Sequence, residues 1–483
     1  MDTIRIELEP GKYKSSRPHY WLISLLVVAL LLFMGLWYGR RYLVKRLIAA
    51  RYDYSAAINT IKLPDNFGSA QQQQAEWTDT YEIDSGIIDK LYVKKDFNAV
   101  KDHLSSILSS PQNEITSQRL SRAYSLLSSI EKDENYDSIN SRLAVLDEWC
   151  LASPDSHIPL LVRGYFNVAY GWHYRGGGRA KGIPSEDVQK FREKLELAKA
   201  DLEKSLALNP GDPNSAAALI EVAMGLNMPK NMMESYFQKG AAAQPWHYNL
   251  HYARFKYLMP KWHGSAKEMF DEAQACLDMA VEYPALGFVM VDAFTEAWYD
   301  RRRLNENNKN VEVSDTEWAI IENVYANYFK RYPDNVYTYY NFIYRAYTVR
   351  KYDKALEQFD LVGDNILTEV NMAQTRWGTV EEYNKARAYC NALKGGDLMK
   401  LEKRYEDSIP YFEKAIQYDS KSVTAHYGLA LACWNLAAKN RDTSLILKAE
   451  ASLLKAHEIE PGNAEVNKQL NALQQKLKEF PVR

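Results

Sequence analysis

VYTYYNFIYRAYTVRKYDKALEQF, residues 336–359, decides the fold. Its apolar and aromatic residues recur three and four apart, which is one face of an α-helix, and no part of it keeps the two-residue alternation of a strand. Within it stand Tyr339-x-x-Phe342-Ile343-x-x-Ala346 and then Ala355-x-x-x-Phe359. Small residues at such points let two helices approach closely, and the large ones fill the space between them. A helix, a turn and a second helix are therefore expected.

The pattern recurs. YEDSIPYFEKAIQYDS supplies Ser408-x-x-x-Phe412, with Ser420 twelve residues after Ser408. HYGLALAC supplies His426-x-x-Leu429-Ala430-x-x-Cys433, followed by Ala449-x-x-x-Leu453 and Pro461. Upstream, Ala198-x-x-x-Leu202 precedes Pro210. Pro154, Pro210, Pro245, Pro284 and Pro333 each close an amphipathic stretch, at gaps of 56, 35, 39 and 49 residues. Proline cannot continue a helix, so recurrent prolines mark recurrent helix ends. Residues 336–463 resemble tetratricopeptide repeats (TPR), with Ser420 in a proline place and about seven extra residues near Lys439–Ser444. The resemblance implies an all-α solenoid of helix-turn-helix units whose first helices line a concave, protein-binding groove. Residues 86–335 are expected to continue that architecture with a weaker consensus, and 464–483 to form a capping helix and tail, with Lys468, Lys476 and Lys478 on its polar side.

A second resemblance covers residues 144–274. LDEWCLASPDS, RGYFNVAYGWHYRGGGRA, ALNPGDPNSA and YLMPKWHGSAKEM resemble an uncharacterised bacterial domain family, which pairs such segments with helical repeats. It implies a bacterial source and a helical fold, and it supplies no activity.

Ahead of the body, residues 20–38, YWLISLLVVALLLFMGLWY, carry no charge. At 1.5 Å per residue the run is about 28 Å long, close to the hydrocarbon thickness of a bilayer. Trp21 at one end and Trp37 with Tyr38 at the other suit the interfacial belts. One transmembrane helix is expected after a tail of residues 1–19. Arg5, Lys12, Lys14 and Arg17 precede it, and Arg40, Arg41, Lys45, Arg46 and Arg51 follow, which leaves both orientations open. The tight cluster after the span, with four cysteines lacking any pairing spacing, leans towards a cytoplasmic body at a bacterial inner membrane. Residues 39–85 read as a basic juxtamembrane segment and a polar linker, with the folded body starting near Gly86.

Composition excludes some partners. Sixty basic residues against 62 acidic ones leave a net charge of −2, without the basic excess of a nucleic-acid footprint. The cysteines form no C-x-x-C pair, and no cofactor motif occurs. The stretch RGGGRAKGIP looks like a phosphate loop, but Ile183 follows Gly182 where a P-loop needs lysine, and Lys181 stands where a dinucleotide fingerprint needs glycine. An expanded turn between two helices is the expectation, with Ser185 as the cap of the second. Arg175, Arg179 and Lys181 remain candidates for an anion or partner contact, and an enzyme using this loop is the alternative function. His247 and His251 share a helix face, but Tyr248 stands where a metalloprotease needs glutamate, and nothing places His263 beside them.

The tyrosines supply the binding candidate. Tyr337, Tyr340, Tyr344 and Tyr347 lie on one helical face, and Thr424, Tyr427, Leu431 and Trp434 occupy the same offsets in the last repeat. Either the stripe lines the groove and binds a protein or peptide, or another helix near Trp377 covers it as core. A membrane-anchored scaffold is the function expected, and a glycan-binding envelope protein is a further alternative because tyrosine and tryptophan stack on sugars.

Overall fold

Helix starts leave N–H groups without partners, and this chain places acceptors there. Asp212, Ser265, Asn335, Thr379 and Asp442 each accept from a first-turn amide, and Ser314 forms a reciprocal capping box with Glu317. The structure, a computed structural model, describes residues 51–65, 67, 86–177, 182–304, 311–363, 372, 375–440 and 442–479. No strand occurs among the described residues.

A short helix α1 (Tyr54–Ile58) comes first, and then α2 (Phe97–Ser109), α3 (Glu114–Ser128) and α4 (Tyr136–Ala152). Antiparallel pairs follow: α5 (His157–Arg175) with α6 (Ser185–Leu208), α7 (Pro213–Gly225) with α8 (Lys230–Ala243), and α9 (Tyr248–Leu258) with α10 (Ala266–Met279). Next come α11 (Phe288–Leu304) with α12 (Asp315–Arg331), α13 (Val336–Thr348) with α14 (Tyr352–Val362), and α15 (Val380–Lys400) with α16 (Tyr405–Tyr418). The last pair is α17 (Val423–Asn440) with α18 (Thr443–Ile459), closed by α19 (Ala464–Glu479). Helices pack on their pair-mates and on the pairs beside them, as in a stacked repeat. Pro154, Pro210, Pro245, Pro284 and Pro333 all fall where one helix or pair hands over to the next.

The small–large pattern does the packing. Phe412 of α16 lies between α15 and α17, where a Cβ added to Gly395 would come within 3.0 Å of its ring and one added to Gly428 within 2.1 Å. Leu202 of α6 meets Gly164 of α5 in the same way, at 2.6 Å. Glycine is needed at these crossings because any side chain would push the ring or the backbone aside. Burying a side chain such as Phe412 is worth about 1.5–3 kcal/mol, and the array repeats that gain pair after pair.

Two boundaries differ from expectation. The expected span 20–38 lies outside the described residues, and among the described ones no helix is long and apolar enough to cross a membrane. The segment 39–85 is not all linker, since residues 51–63 belong to the body. Tyr54 and Ala57 are buried against α10 and α11, and Ile58, Ile61 and Leu63 pack beside them. Arg51 donates to the carbonyls of Trp262 and Gly264, Tyr54 donates to Asp300 at 2.5 Å, and the Lys62 backbone exchanges bonds with the Gln274 side-chain amide. A five-residue helix is too short to show a period, which is why only its packing reveals it. The second boundary is minor. Pro184 takes the cap position of α6 and Ser185 is its first helical residue, without a side-chain cap bond.

Candidate functional site

α3 is the unexpected element. Ser117, Ser121 and Ser128 recur on one side of it at helical spacing, a polar stripe on a helix whose other side enters the core through Leu120, Ala123 and Leu127. The helix runs along the turns between successive pairs, and Tyr124, Ser121, Ser117 and Glu114 bond them in order, while Ser128 bonds back to its own helix. Tyr124 donates to Asp212 at 2.9 Å and Ser121 to Asn214 at 2.6 Å. Ser117 donates to Gln244 at 3.1 Å. Glu114 accepts from the Ala285 amide at 2.9 Å and from the Tyr332 hydroxyl at 2.7 Å. One helix thus holds the starts of four consecutive pairs.

The network has a consistent proton order. The Leu250 amide donates to His247 Nδ1 at 3.2 Å, and burial pushes the ring down to about 4, so it is neutral with its proton on Nε2. That nitrogen donates to Ser121 Oγ at 3.2 Å, Ser121 donates to Asn214, and the Asn214 amide donates to Asp212 at 2.7 Å. At the other end, burial pushes the Glu114 carboxyl up to about 7, although Tyr332, the Ala285 amide and Arg331 pull it back. A folded-state pKa above the unfolded value gives stability that is whole below about pH 4.5 and is lost as pH rises through 7. Glu114→Gln keeps an acceptor for Ala285 and removes the ionisation. Its urea midpoint is expected to lose the decline that the unaltered chain shows between pH 5 and 8, and parallel profiles would refute this.

Beside this seam lies a groove of about 410 Å³. Its walls are the Arg119, Arg122 and Ser125 side of α3 and the starts of α9, α11 and α13, with Tyr248, Asn249, Phe288, Tyr337, Thr338 and Asn341. It runs into a second hollow of about 110 Å³ that shares Tyr248, Phe288, Thr338 and Asn341 and adds Asp292, Tyr325, Arg345 and Arg376. Arg345 is buried and bonded to Asp292. Burial opposes its charge, but Asp292 and the phenols of Tyr325, Tyr248 and Tyr252 outweigh burial and raise its pKa. Arg376 is exposed and stands 3.9 Å from the same carboxylate. Aromatic faces, amides, hydroxyls and guanidiniums together suit recognition of a polar extended ligand.

The tyrosine stripe is divided. Tyr337 lines the groove, but Tyr340 is 1% exposed, with its ring 5.0 Å from Tyr383 of α15 and its carbonyl accepting from the Trp377 indole at 3.0 Å. Tyr344 meets Trp377 edge-on at 5.3 Å, and Tyr347 packs among Trp377, Tyr352 and Tyr389. The expected groove surface over all four is corrected: Trp377 and α15 cover most of it. In the last pair, Tyr427, Leu431 and Trp434 are half-buried, with α19 beside two of them. Tyr427 donates to Glu465 at 3.1 Å, Lys476 sits 5.0 Å above Trp434, and Leu431 packs half-buried in that cluster.

Arg175 ends α5, and Gly176 follows at φ +61°, a left-handed turn that suits glycine. The guanidinium lies 5.3 Å from the Trp172 ring and 5.5 Å from Trp262, which ties it to packing. Arg179 and Lys181 lie outside the described residues.

The histidines diverge. His263 faces the Met224 carbonyl at 3.1 Å, while His251 sits between Glu272 at 2.7 Å and the Pro245 carbonyl at 2.7 Å. His251, Glu272 and Cys276 bring their ligand atoms within 4.8 Å of one another. They do not fit a metal. Both His251 nitrogens face other groups, Arg254 occupies Glu272, and burial holds the Cys276 thiol well above its ordinary range. The donor set is an internal ion-pair cluster.

Stacked helix pairs with a groove along the starts of their first helices define an all-α helical-repeat protein, a class that presents extended surfaces to other chains. No family model and no curated protein matches the chain. Among solved structures it is similar to the TPR domain of P58(IPK), at 12% identity over 84% of this chain and 100% of that one, with a TM-score of 0.20. The repeat architecture rests on the helix pairs and their handovers.

Proposed function

We propose that the protein is a membrane-anchored scaffold that holds an extended segment of a partner protein in the groove between α3 and the starts of α9, α11 and α13. The observation that carries this reading is the groove itself, whose lining offers donors, acceptors and aromatic faces along several consecutive pairs. Residues 20–38 supply the anchor in this reading. The basic residues 40–51 and the four thiols favour a body on the cytoplasmic side of a bacterial inner membrane.

Photocrosslinking in membranes tests it. A photoreactive residue at Asn341, in the groove, is expected to give a reproducible adduct that Tyr337→Ala weakens, while one at the exposed Leu208 gives none. Equal adducts at both positions, or none at Asn341, would sink the scaffold reading. A reporter fused at the C terminus, active only in the cytoplasm, reads the side of the body.

A further inference from the structure

The segment ahead of the array joins it at one edge, and the groove lies at the other. Arg51 donates to the carbonyls of Trp262 and Gly264, in the turn after α9, and Tyr54 donates to Asp300, near the end of α11. The groove holds Phe288, at the start of α11. At 1.5 Å per residue, Asp300 lies about 18 Å along the helix from Phe288. From Arg51 the chain runs back along α10, where Lys62 meets Gln274 well inside that helix. The end of α5 belongs to the Arg51 edge too, because Arg175, where the glycine-rich stretch begins, lies 5.5 Å from the Trp262 ring. At the end of α11, Arg303 lies 5.8 Å from the Tyr52 ring and Leu304 is exposed. Tryptophan and tyrosine rings beside arginines are a mixture that suits the headgroup level of a bilayer.

The sequence before Arg51 bears on which edge meets the bilayer. Only residues 39–50, which lie outside the described residues, separate Arg51 from the expected span 20–38. A flexible chain of that length spans about 20 Å on average and about 40 Å at full stretch. α11 alone, with 17 residues, is about 25 Å long. With the groove edge on the bilayer, this connection would have to pass the whole length of the helices before reaching Arg51. It would also draw Arg40, Arg41, Lys45 and Arg46 away from the headgroups, and anionic headgroups attract basic residues. We propose that the edge formed by the ends of α5, α9 and α11 is a lipid-facing surface that rests on anionic headgroups, while the groove opens away from the bilayer. This rests on the anchor of the scaffold reading, and it makes the groove's partner a segment presented from the aqueous phase.

Short-range fluorescence quenching tests it, with the full chain in nanodiscs of phosphatidylcholine and phosphatidylglycerol that carry a nitroxide on some headgroups. Bimane is placed by Leu304→Cys or by Val336→Cys, two exposed positions at opposite edges, in a Cys150→Ser background that leaves three buried thiols. The label at position 304 is expected to lose most of its emission, and the label at position 336 to keep most of it. Equal quenching at both, stronger quenching at 336, or none at either would overturn the lipid-facing edge while the anchor and the groove stand. In discs of phosphatidylcholine alone the quenching at 304 is expected to weaken, and unchanged quenching there would overturn the assignment to anionic headgroups. If the intact chain is recovered free of the discs, the anchor fails and the lipid-facing edge with it. The adduct at Asn341 reads the groove separately from all of these.

Discussion

Replacing Tyr340 by alanine is expected to destabilise the body by about 3–5 kcal/mol, the range for truncating a large aromatic side chain in a packed core. The ring is 1% exposed and packs against Tyr383, which itself meets Phe359 at 5.0 Å and Trp377 at 5.5 Å. Removing it leaves a hole between α13 and α15 that several rings border, and rings cannot collapse into it without leaving their own contacts. Tyr337, three residues earlier on the same helix, lines the groove and is only half-buried. Tyr337→Ala is expected to lose less than about 1 kcal/mol, within the usual span for substitutions outside the core. Urea unfolding followed by circular dichroism compares the two. Equal losses would mean that the stripe is not divided between core and groove.

That division shows what a sequence can and cannot carry. The prolines from Pro154 to Pro333 mark handovers because a missing N–H and a fixed φ act locally, and local constraints are visible in the sequence. The Ser408-x-x-x-Phe412 spacing was likewise readable, since a large residue one turn after a small one sets how closely neighbouring helices cross. Which of two apolar faces on α13 meets solvent is not local. It depends on Trp377 and on α15, which begins 44 residues after α13 does. Either face could have been covered, and periodicity alone does not choose.

The groove was missed for a related reason. Its signal was the pair of serines on α3, Ser117 and Ser121, which reads as an exposed polar face until its partners are known. Those partners, Gln244, Asn214 and His247, lie 93 to 127 residues away. Residues 51–63 carry the same lesson. Tyr54 and Asp300 are 246 residues apart, and nothing near Tyr54 announces the pairing.

The seam also concentrates several polar contacts on one buried residue, Asp212. Asp212 is the N-cap of α7, accepting from the Asn214 amide at 3.0 Å, and it accepts as well from the Asn214 side chain and from Tyr124. The His157 ring lies 3.7 Å away. Burial alone would raise its pKa, but the bonds from His157, Asn214 and Tyr124 outweigh burial and hold it below the ordinary carboxylate value. A depressed pKa gives stability that is present above about pH 3.8 and is lost as pH falls through the folded value. Asp212→Ala removes the cap, at about 1 kcal/mol, and strands a buried hydroxyl and a buried amide, each at about 1–3 kcal/mol. The expected loss is about 4 kcal/mol at neutral pH. Asp212→Asn returns an acceptor but brings an N–H₂ towards donors that already point inward, so it recovers only part of that loss. Tyr124→Phe in the Asp212→Ala background is expected to restore stability, because it removes the stranded hydroxyl while keeping the ring. Strictly additive losses in that double variant would mean that Tyr124 and Asp212 are not coupled, and that the polar tie from α3 to α7 is the Ser121–Asn214 bond.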